Sequence, residues 1–399
     1  MKKILIFSLA YYPKYYGGAE IAIKEITDRI SDIEFHMVTN RFDSALPRYE
    51  KVGNVHVHRI GITTREPNMG DLRKFPLHLN KIFFQFLAVW KAVGLHRKNN
   101  YDGIWAMTAH SCGVPAGMFK TLYPNVKYAL TLQEGDPPEY IEKKMCPLWP
   151  LFVRGFTKAD IIQAISTFLS KWARHMGFHG PVEVIPNAVN AVHFSQTYTE
   201  DEIASAKADI GKKDGEVYVV TTSRLVQKNG LDDVIRALTF VPAHVKFLIF
   251  GTGPDEEKLK QLAKNEGIED RVIFWGQIDH KDMPRYLKAC DIFIRPSRSE
   301  GMGNSFVEAF AAELPVIATQ EGGIADFLFD EKRNPDKPTT GWAVDKDSSE
   351  QIAGAVKDVI DNPEKVEHVK RNAKALAFEK YDWDTIATDM RQKVFGKLL

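Results

Sequence analysis

Short apolar runs, each followed within a few residues by a segment of helical spacing, recur along the whole 399-residue chain. In the first half they read KILIFSL (3–9), EFHMVT (34–39), VHVHRI (55–60), GIWAM (103–107), KYALTL (127–132) and IIQAIS (161–166). In the second half they read VYVVTTS (217–223), VKFLIF (245–250), RVIFWG (271–276), DIFIRPS (291–297) and PVIAT (315–319). Strands that read as unbroken apolar runs are buried on both faces, which is the condition of parallel strands covered by helices. Two successive sets of such strands predict two Rossmann-like α/β domains with a cleft between them.

The boundary is placed at IPNAVNAVHF (185–194), where a strand ends in Pro-Asn and polar residues follow. This gives a first domain over 1–185 and a second over 186–380. The tail, 381–399, has apolar residues at helical spacing and is expected to form a helix that returns to the first domain. EKRNPDKPTT (331–340) reads as an exposed loop. The formal net charge is only +1, so no global field draws the chain to nucleic acid. The halves differ, however: residues 1–185 carry 24 Lys+Arg against 16 Asp+Glu, and residues 186–399 carry 29 against 36. Three scattered cysteines argue against a disulfide framework and for a reducing, cytoplasmic setting. MKKILIFSLAYYP reads as a first strand rather than a signal peptide, because its apolar run is short and aromatics follow it directly.

Chemistry concentrates in PSRSEGMGNSFVEAF (296–310), where Glu300 and Glu308 flank a glycine-rich turn that opens a helix. Free N–H groups near Asn304, Ser305 and Phe306, with the helix dipole behind them, form an anion site. Gly301 and Gly303 let the backbone approach a ligand closely. Glu308, about a turn and a half into the helix, is placed to accept hydrogen bonds from a vicinal diol such as a ribose. Glu300 precedes the turn and faces the other end of a bound diphosphate, where a sugar would lie. Two acids around a phosphate cradle thus spell nucleoside, diphosphate and sugar.

E-x7-E after a strand-end Pro-Ser, with EGMG between, resembles the signature of the retaining glycosyltransferases of family 4, which have the GT-B fold. Further pieces match in order over nearly the whole chain: GGAE (17–20), ISTF (165–168), VIPNAVN (184–190), TSRLVQKNG (222–230), FGTGP (250–254) and TQEGG (319–323). The resemblance implies hexosyl transfer from a nucleoside diphosphate sugar, UDP- or GDP-linked, to a glycan or lipid-linked acceptor of the cell envelope. It implies no cofactor and no metal. Arg224 and Lys228 would neutralise the diphosphate, and Glu308 would hold the ribose. Glu300 and the backbone of Gly301, Met302, Gly303 and Asn304 would hold the transferred sugar. Gly17 and Gly18 would close over the phosphate, and the backbone near Ile278 would meet the base.

The departures are specific. Asn229 stands where the family often has its lysine, with Lys228 one place earlier. Gln133 stands where a sugar-contacting histidine is common, and His110 is the other candidate for that contact. Rival readings include an epimerase on the same fold, drawing on Glu134 and Asp136, a phosphorylase, and a non-catalytic nucleotide-sugar-binding module. GTGP (251–254) lacks the third glycine of a dinucleotide fingerprint. HVH (56–58) puts two imidazoles on one side of a strand without a visible third ligand, so a surface or packing role is expected. Segment 73–98 has six Lys or Arg, no acid and many aromatics. It is read as a packed helix with a basic outer face, the alternative being peripheral contact with an anionic membrane.

Overall fold

The computed structural model describes residues 1–68 and 70–399, and the chain divides into two compact units. The first comprises residues 1–187 and 383–399. Its sheet has eight strands: β1 (Lys2–Phe7), β2 (Ile33–Asn40), β3 (Tyr49–Val52), β4 (Val55–Ile60), β5 (Gly103–Met107), β6 (Lys127–Leu132), β7 (Ile161–Ala164) and β8 (Val182–Val184). Their order is β3-β4-β2-β1-β5-β6-β7-β8. All neighbours are parallel except β3 and β4. The central strands are buried along their length, β5 at every residue, because helices cover both faces.

The outermost strands, YEKV and VEV, are short and polar, so they carry no apolar run to announce them. Polar residues on edge strands also discourage pairing with other chains. The tail is not one helix. It runs as an α-helix over Trp383–Asp389, widens to a π-helical turn over Met390–Val394, and closes with a 3-10 turn over Phe395–Lys397. Phe395 is anchored in the first unit against Trp105 and Phe35, with ring centroids 5.1 and 5.7 Å away. Arg391 pairs with Asp32 at 2.6 Å.

The helix Leu79–Asn99 departs from the sequence reading. Its inner face buries Phe84, Ala88, Val89, Ala92 and Leu95. Its outer face is not basic but apolar, with Ile82, Phe83, Phe86, Leu87 and Trp90 all exposed. The cause is visible in the spacing: positions 82, 83, 86, 87 and 90 share one face of a 3.6-residue helix, while most of the cations fall toward its ends.

The second unit, residues 188–382, is built on β9 (Val217–Thr222), β10 (Val245–Phe250), β11 (Val272–Gly276), β12 (Ile292–Arg295), β13 (Val316–Ala318) and β14 (Trp342–Ala343). The order is β11-β10-β9-β12-β13-β14, all parallel. Val219, Phe247, Ile249, Ile294 and Ile317 form its core with Leu231, Val234, Ile235 and Val356 from the covering helices. Successive strands run outward on one side of β9 and then resume on the other at β12. Such a switch point opens a crevice at the carboxyl ends of the two strands, where ligands bind in open α/β sheets. In the first unit the switch falls between β1 and β5.

Candidate active site

The β9/β12 switch point carries the residues singled out above. Arg224 leaves β9 two residues past its end, with an exposed guanidinium that makes no hydrogen bond or ion pair among the described residues. The loop that presents it is tied down from beneath. The amide of Asn229, which is buried, donates to the Arg224 carbonyl at 2.6 Å. The asparagine at the family's usual lysine position therefore closes this loop, and Lys228 lies beside it in the 3-10 turn Gln227–Asn229. Gly230 has φ +68, and a Cβ there would lie 2.2 Å from the Pro296 carbonyl oxygen, so the loops after β9 and β12 meet backbone to backbone. Around this meeting the hydroxyls of Thr221, Thr222, Ser223 and Ser297 are buried without a hydrogen-bond partner among the described residues.

Two arginines that sequence reasoning passed over fix the turn after β12. Arg298 donates to Asp232 at 2.8 and 3.0 Å, to Asp233 at 2.6 Å and to the Gln227 carbonyl at 2.6 Å. It straps this turn to the Arg224–Lys228 loop. Arg295, the charge inside the apolar run DIFIRPS, is buried. Its guanidinium donates to Glu300 Oε2 at 2.9 Å and to Ser305 Oγ at 2.8 Å, and lies 4.3 Å from the Phe306 ring centroid. Glu300 also accepts the Gly301 N–H through Oε1 at 3.1 Å, so its carboxylate is turned toward the helix start. Gly301 and Met302 are buried, and Gly303, at φ +89, is the N-cap of the helix Asn304–Ala311. The Phe306 N–H turns to the Gly303 carbonyl at 3.2 Å, and the N–H groups of Asn304 and Ser305 have no acceptor within the helix. A carboxylate, a buried guanidinium and a helix start thus lie within one turn of chain.

Glu308 lies deeper in the same helix, mostly buried, and its Oε1 is 3.3 Å from His280 Nε2. His280 follows half-buried Ile278 in the loop after β11, and its ring stacks on His193 at 5.7 Å. The Glu308 hydrogen bond raises the His280 pKa above its ordinary 6.5, so the pair is fully formed below about pH 6.5 and weakens as pH rises through the raised value. His280→Ala is accordingly expected to lower Tm more at about pH 6 than at about pH 9. The partly exposed imidazole limits the effect to about 1 kcal/mol or less. Equal losses at the two pH values would exclude a charged pair.

In the first unit, Gly17 caps the helix Gly18–Asp28, and its N–H donates to Glu20 at 2.7 Å. Neither glycine is demanded by the fold, since a Cβ on Gly18 would meet nothing within 4 Å and one on Gly17 only Glu20 at 3.6 Å. His110 sits in the π-helical turn Ala109–Gly113 after β5. Glu134, buried, accepts the Ala109 N–H at 2.5 Å and the Gln133 N–H at 3.0 Å, and lies 3.4 Å from His110 Nδ1. This carboxylate anchors the loop. Thr108 just before it has φ +68, a strained conformation for a β-branched residue. The Gln133 side chain is engaged by Asn187 at 3.1 Å.

The HVH stretch contributes only His56 to a possible ligand set, whose other members, Glu34 and His36, lie on β2. The three put one ligand atom each within 4.8 Å of one another. The rings do not converge, however. His36 stacks on His56 and His58 at 4.8 and 5.6 Å with near-parallel planes, His36 Nε2 donates to Glu34 Oε1 at 2.7 Å, and Tyr49 meets His56 Nδ1 at 2.9 Å. Burial and the neighbouring His36 hold His58 down to about 4. This is a ladder of stacked imidazoles on β2 and β4.

Residues 202–376 match the family model of the glycosyl transferases group 1. That match lies wholly within the second unit. The chain is 25% identical to an uncharacterized glycosyltransferase of Methanocaldococcus jannaschii, over 97% of this chain and 96% of that one. It is 30% identical to the GDP-mannose-dependent monoacylated alpha-(1-6)-phosphatidylinositol monomannoside mannosyltransferase of Corynebacterium glutamicum, over 52% of this chain and 54% of that one. Among solved structures it superposes on sucrose-phosphate synthase from Thermosynechococcus elongatus with TM-score 0.79, at 19% identity over 100% of both chains. The fold of the chain is therefore GT-B.

Proposed function

We propose that this chain is a glycosyltransferase that moves a hexosyl unit from a UDP- or GDP-sugar to a glycan or lipid-linked acceptor, with retention at the anomeric carbon and without a metal ion. The observation that supports the reading is that the loops after β9 and β12, which carry Glu300 and the exposed Arg224, meet backbone to backbone at Gly230 and Pro296, with the helix start at Asn304 and Glu308 following directly. The cations and N–H groups answer the charge that builds on the departing diphosphate, while the acids take hydroxyls on either side of it. Lys228 shares the phosphate, the backbone from Gly301 to Asn304 takes the sugar, and Ile278 meets the base. His110 is favoured over Gln133 as a sugar contact, because strain at Thr108 and the Glu134 anchor hold it in place, whereas the Gln133 side chain is already engaged. That neither Gly17 nor Gly18 is demanded by the fold supports a role for them toward a ligand.

The corynebacterial relative's GDP-mannose dependence and phosphatidylinositol-mannoside acceptor support a nucleotide-sugar donor and a lipid-linked acceptor. The three unpaired cysteines support a cytoplasmic setting, and among the described residues no helix is long and apolar enough to cross a membrane. Turnover screened across UDP- and GDP-sugars tests the donor class. Glu308→Ala is expected to weaken donor binding by about 1.5–3 kcal/mol, the range for hydrogen bonds to a charged group. An unchanged calorimetric affinity would remove Glu308 from the ribose.

A further inference from the structure

The helix Leu79–Asn99 is apolar on both sides. A helix that is hydrophobic all round needs apolar neighbours all round, and this one has them on its inner face only. Among the described residues, six of the seventeen exposed large hydrophobic side chains fall between positions 75 and 90: Phe75, Ile82, Phe83, Phe86, Leu87 and Trp90. Trp90 is 84% exposed and Phe75 80%. Apolar side chains scattered singly over a surface are ordinary, but a contiguous stripe of five on one helix face marks a docking surface.

The charges around the stripe identify its occupant. Arg73 and Lys74 precede the helix, Lys81 and Lys91 lie along it, and Arg97 and Lys98 close it, with no acid anywhere in residues 73–98. Lys74 is already paired with Asp71 at 2.9 Å. Lys81 is pulled below its ordinary range by burial and by the nearby cations Lys144 and Arg73, so three positive groups crowd the start of the stripe. A second copy of the chain in a two-fold arrangement would set this segment against itself, with no carboxylate within it to meet the cations. A bilayer with anionic headgroups meets both demands at once: acyl chains and the interfacial zone take the aromatics, Trp90 above all, and the headgroups take the cations.

We propose that the outer face of the helix Leu79–Asn99, together with Phe75, docks the first unit onto an anionic lipid surface. The proposal does not rest on the donor reading. It places the enzyme where a lipid-linked acceptor is found, and it goes beyond the catalytic site to the surface on which that site works.

The test is co-sedimentation of the full chain with phosphatidylcholine vesicles with and without phosphatidylglycerol, at low and high salt. The wild type is expected to bind the anionic vesicles and to be released as salt screens the charges. Phe86→Ser/Trp90→Ser should lose binding about ten-fold or more through the lost apolar insertion, and Lys81→Gln/Lys91→Gln should lose most of the dependence on phosphatidylglycerol. Phe86, Trp90 and Lys81 are exposed and Lys91 is half-buried, and none of the four belongs to the proposed donor site, so unchanged calorimetric donor affinity is expected of both variants. That separates this result from any failure of the donor assignment. Absence of binding to anionic vesicles at low salt overturns the proposal, as does undiminished binding by Phe86→Ser/Trp90→Ser. A dimer in sedimentation velocity that the same variant dissociates would instead assign the stripe to a second copy.

Discussion

Replacing Arg224 by alanine is expected to lower kcat by about 10²–10³-fold, the cost of removing one preorganised group that stabilises developing charge. The size follows from where the guanidinium stands. It is exposed, unpaired among the described residues, and presented by a loop whose shape depends on Asn229, Gly230 and Arg298 rather than on Arg224 itself. Its removal should therefore leave Tm unchanged, and the loss should appear in turnover. Lys228→Ala is expected to fall in the same direction by a smaller factor, since its place in the 3-10 turn is one residue earlier than the family's usual lysine. Fixed cations and a helix start can supply the electrostatic stabilisation a divalent ion gives elsewhere, so turnover should survive EDTA. Loss of activity on chelation, with recovery on adding manganese, would mean that the phosphate site has been assigned to the wrong groups.

The strands that build both sheets were legible because burial on two faces leaves an unbroken apolar run, as in KYALTL and VKFLIF, whose bounds match β6 and β10 residue for residue. β3, β8 and β14 were not, since edge or two-residue strands such as YEKV and WA carry no such run. The E-x7-E turn was legible for a different reason: glycine, acid and helix spacing are all local. What was hidden are contacts that only the closed chain makes. Asn229 reads as a lost lysine until its amide is seen on the Arg224 carbonyl. His280 gives no sign that Glu308, twenty-eight residues on, will raise its pKa. Glu34 and His36 on β2 reach His56 on β4 only through parallel register. The helix Leu79–Asn99 misleads because periodicity separates apolar from polar faces, and this helix is apolar on two of them.

Arg295 is the residue whose replacement should cost the fold most. Its guanidinium is buried beside the Glu300 carboxylate at 2.9 Å, with Ser305 Oγ at 2.8 Å and Phe306 beneath it. Burial pushes its pKa down, against the upward pull of Glu300 and Glu308, so desolvation is only partly offset and the pair holds because each charge has the other. Arg295→Leu would leave Glu300 mostly buried with only the Gly301 N–H at 3.1 Å. Breaking a buried pair from one side costs about 3–5 kcal/mol, a large share of a typical domain's stability. Arg295→Lys should rescue little, because a single ammonium cannot reproduce a planar fork that meets Glu300 and Ser305 together and stacks on a ring. The cost belongs to the orphaned carboxylate, so adding Glu300→Gln to Arg295→Leu should return a large part of it, and urea unfolding of the two single variants and the double variant measures that coupling. A single Arg295→Leu variant as stable as the wild type would show that the pair contributes nothing. A double variant no more stable than the single would trace the loss to packing against Phe306, and Glu300 would then be free to serve the sugar without a positioning partner.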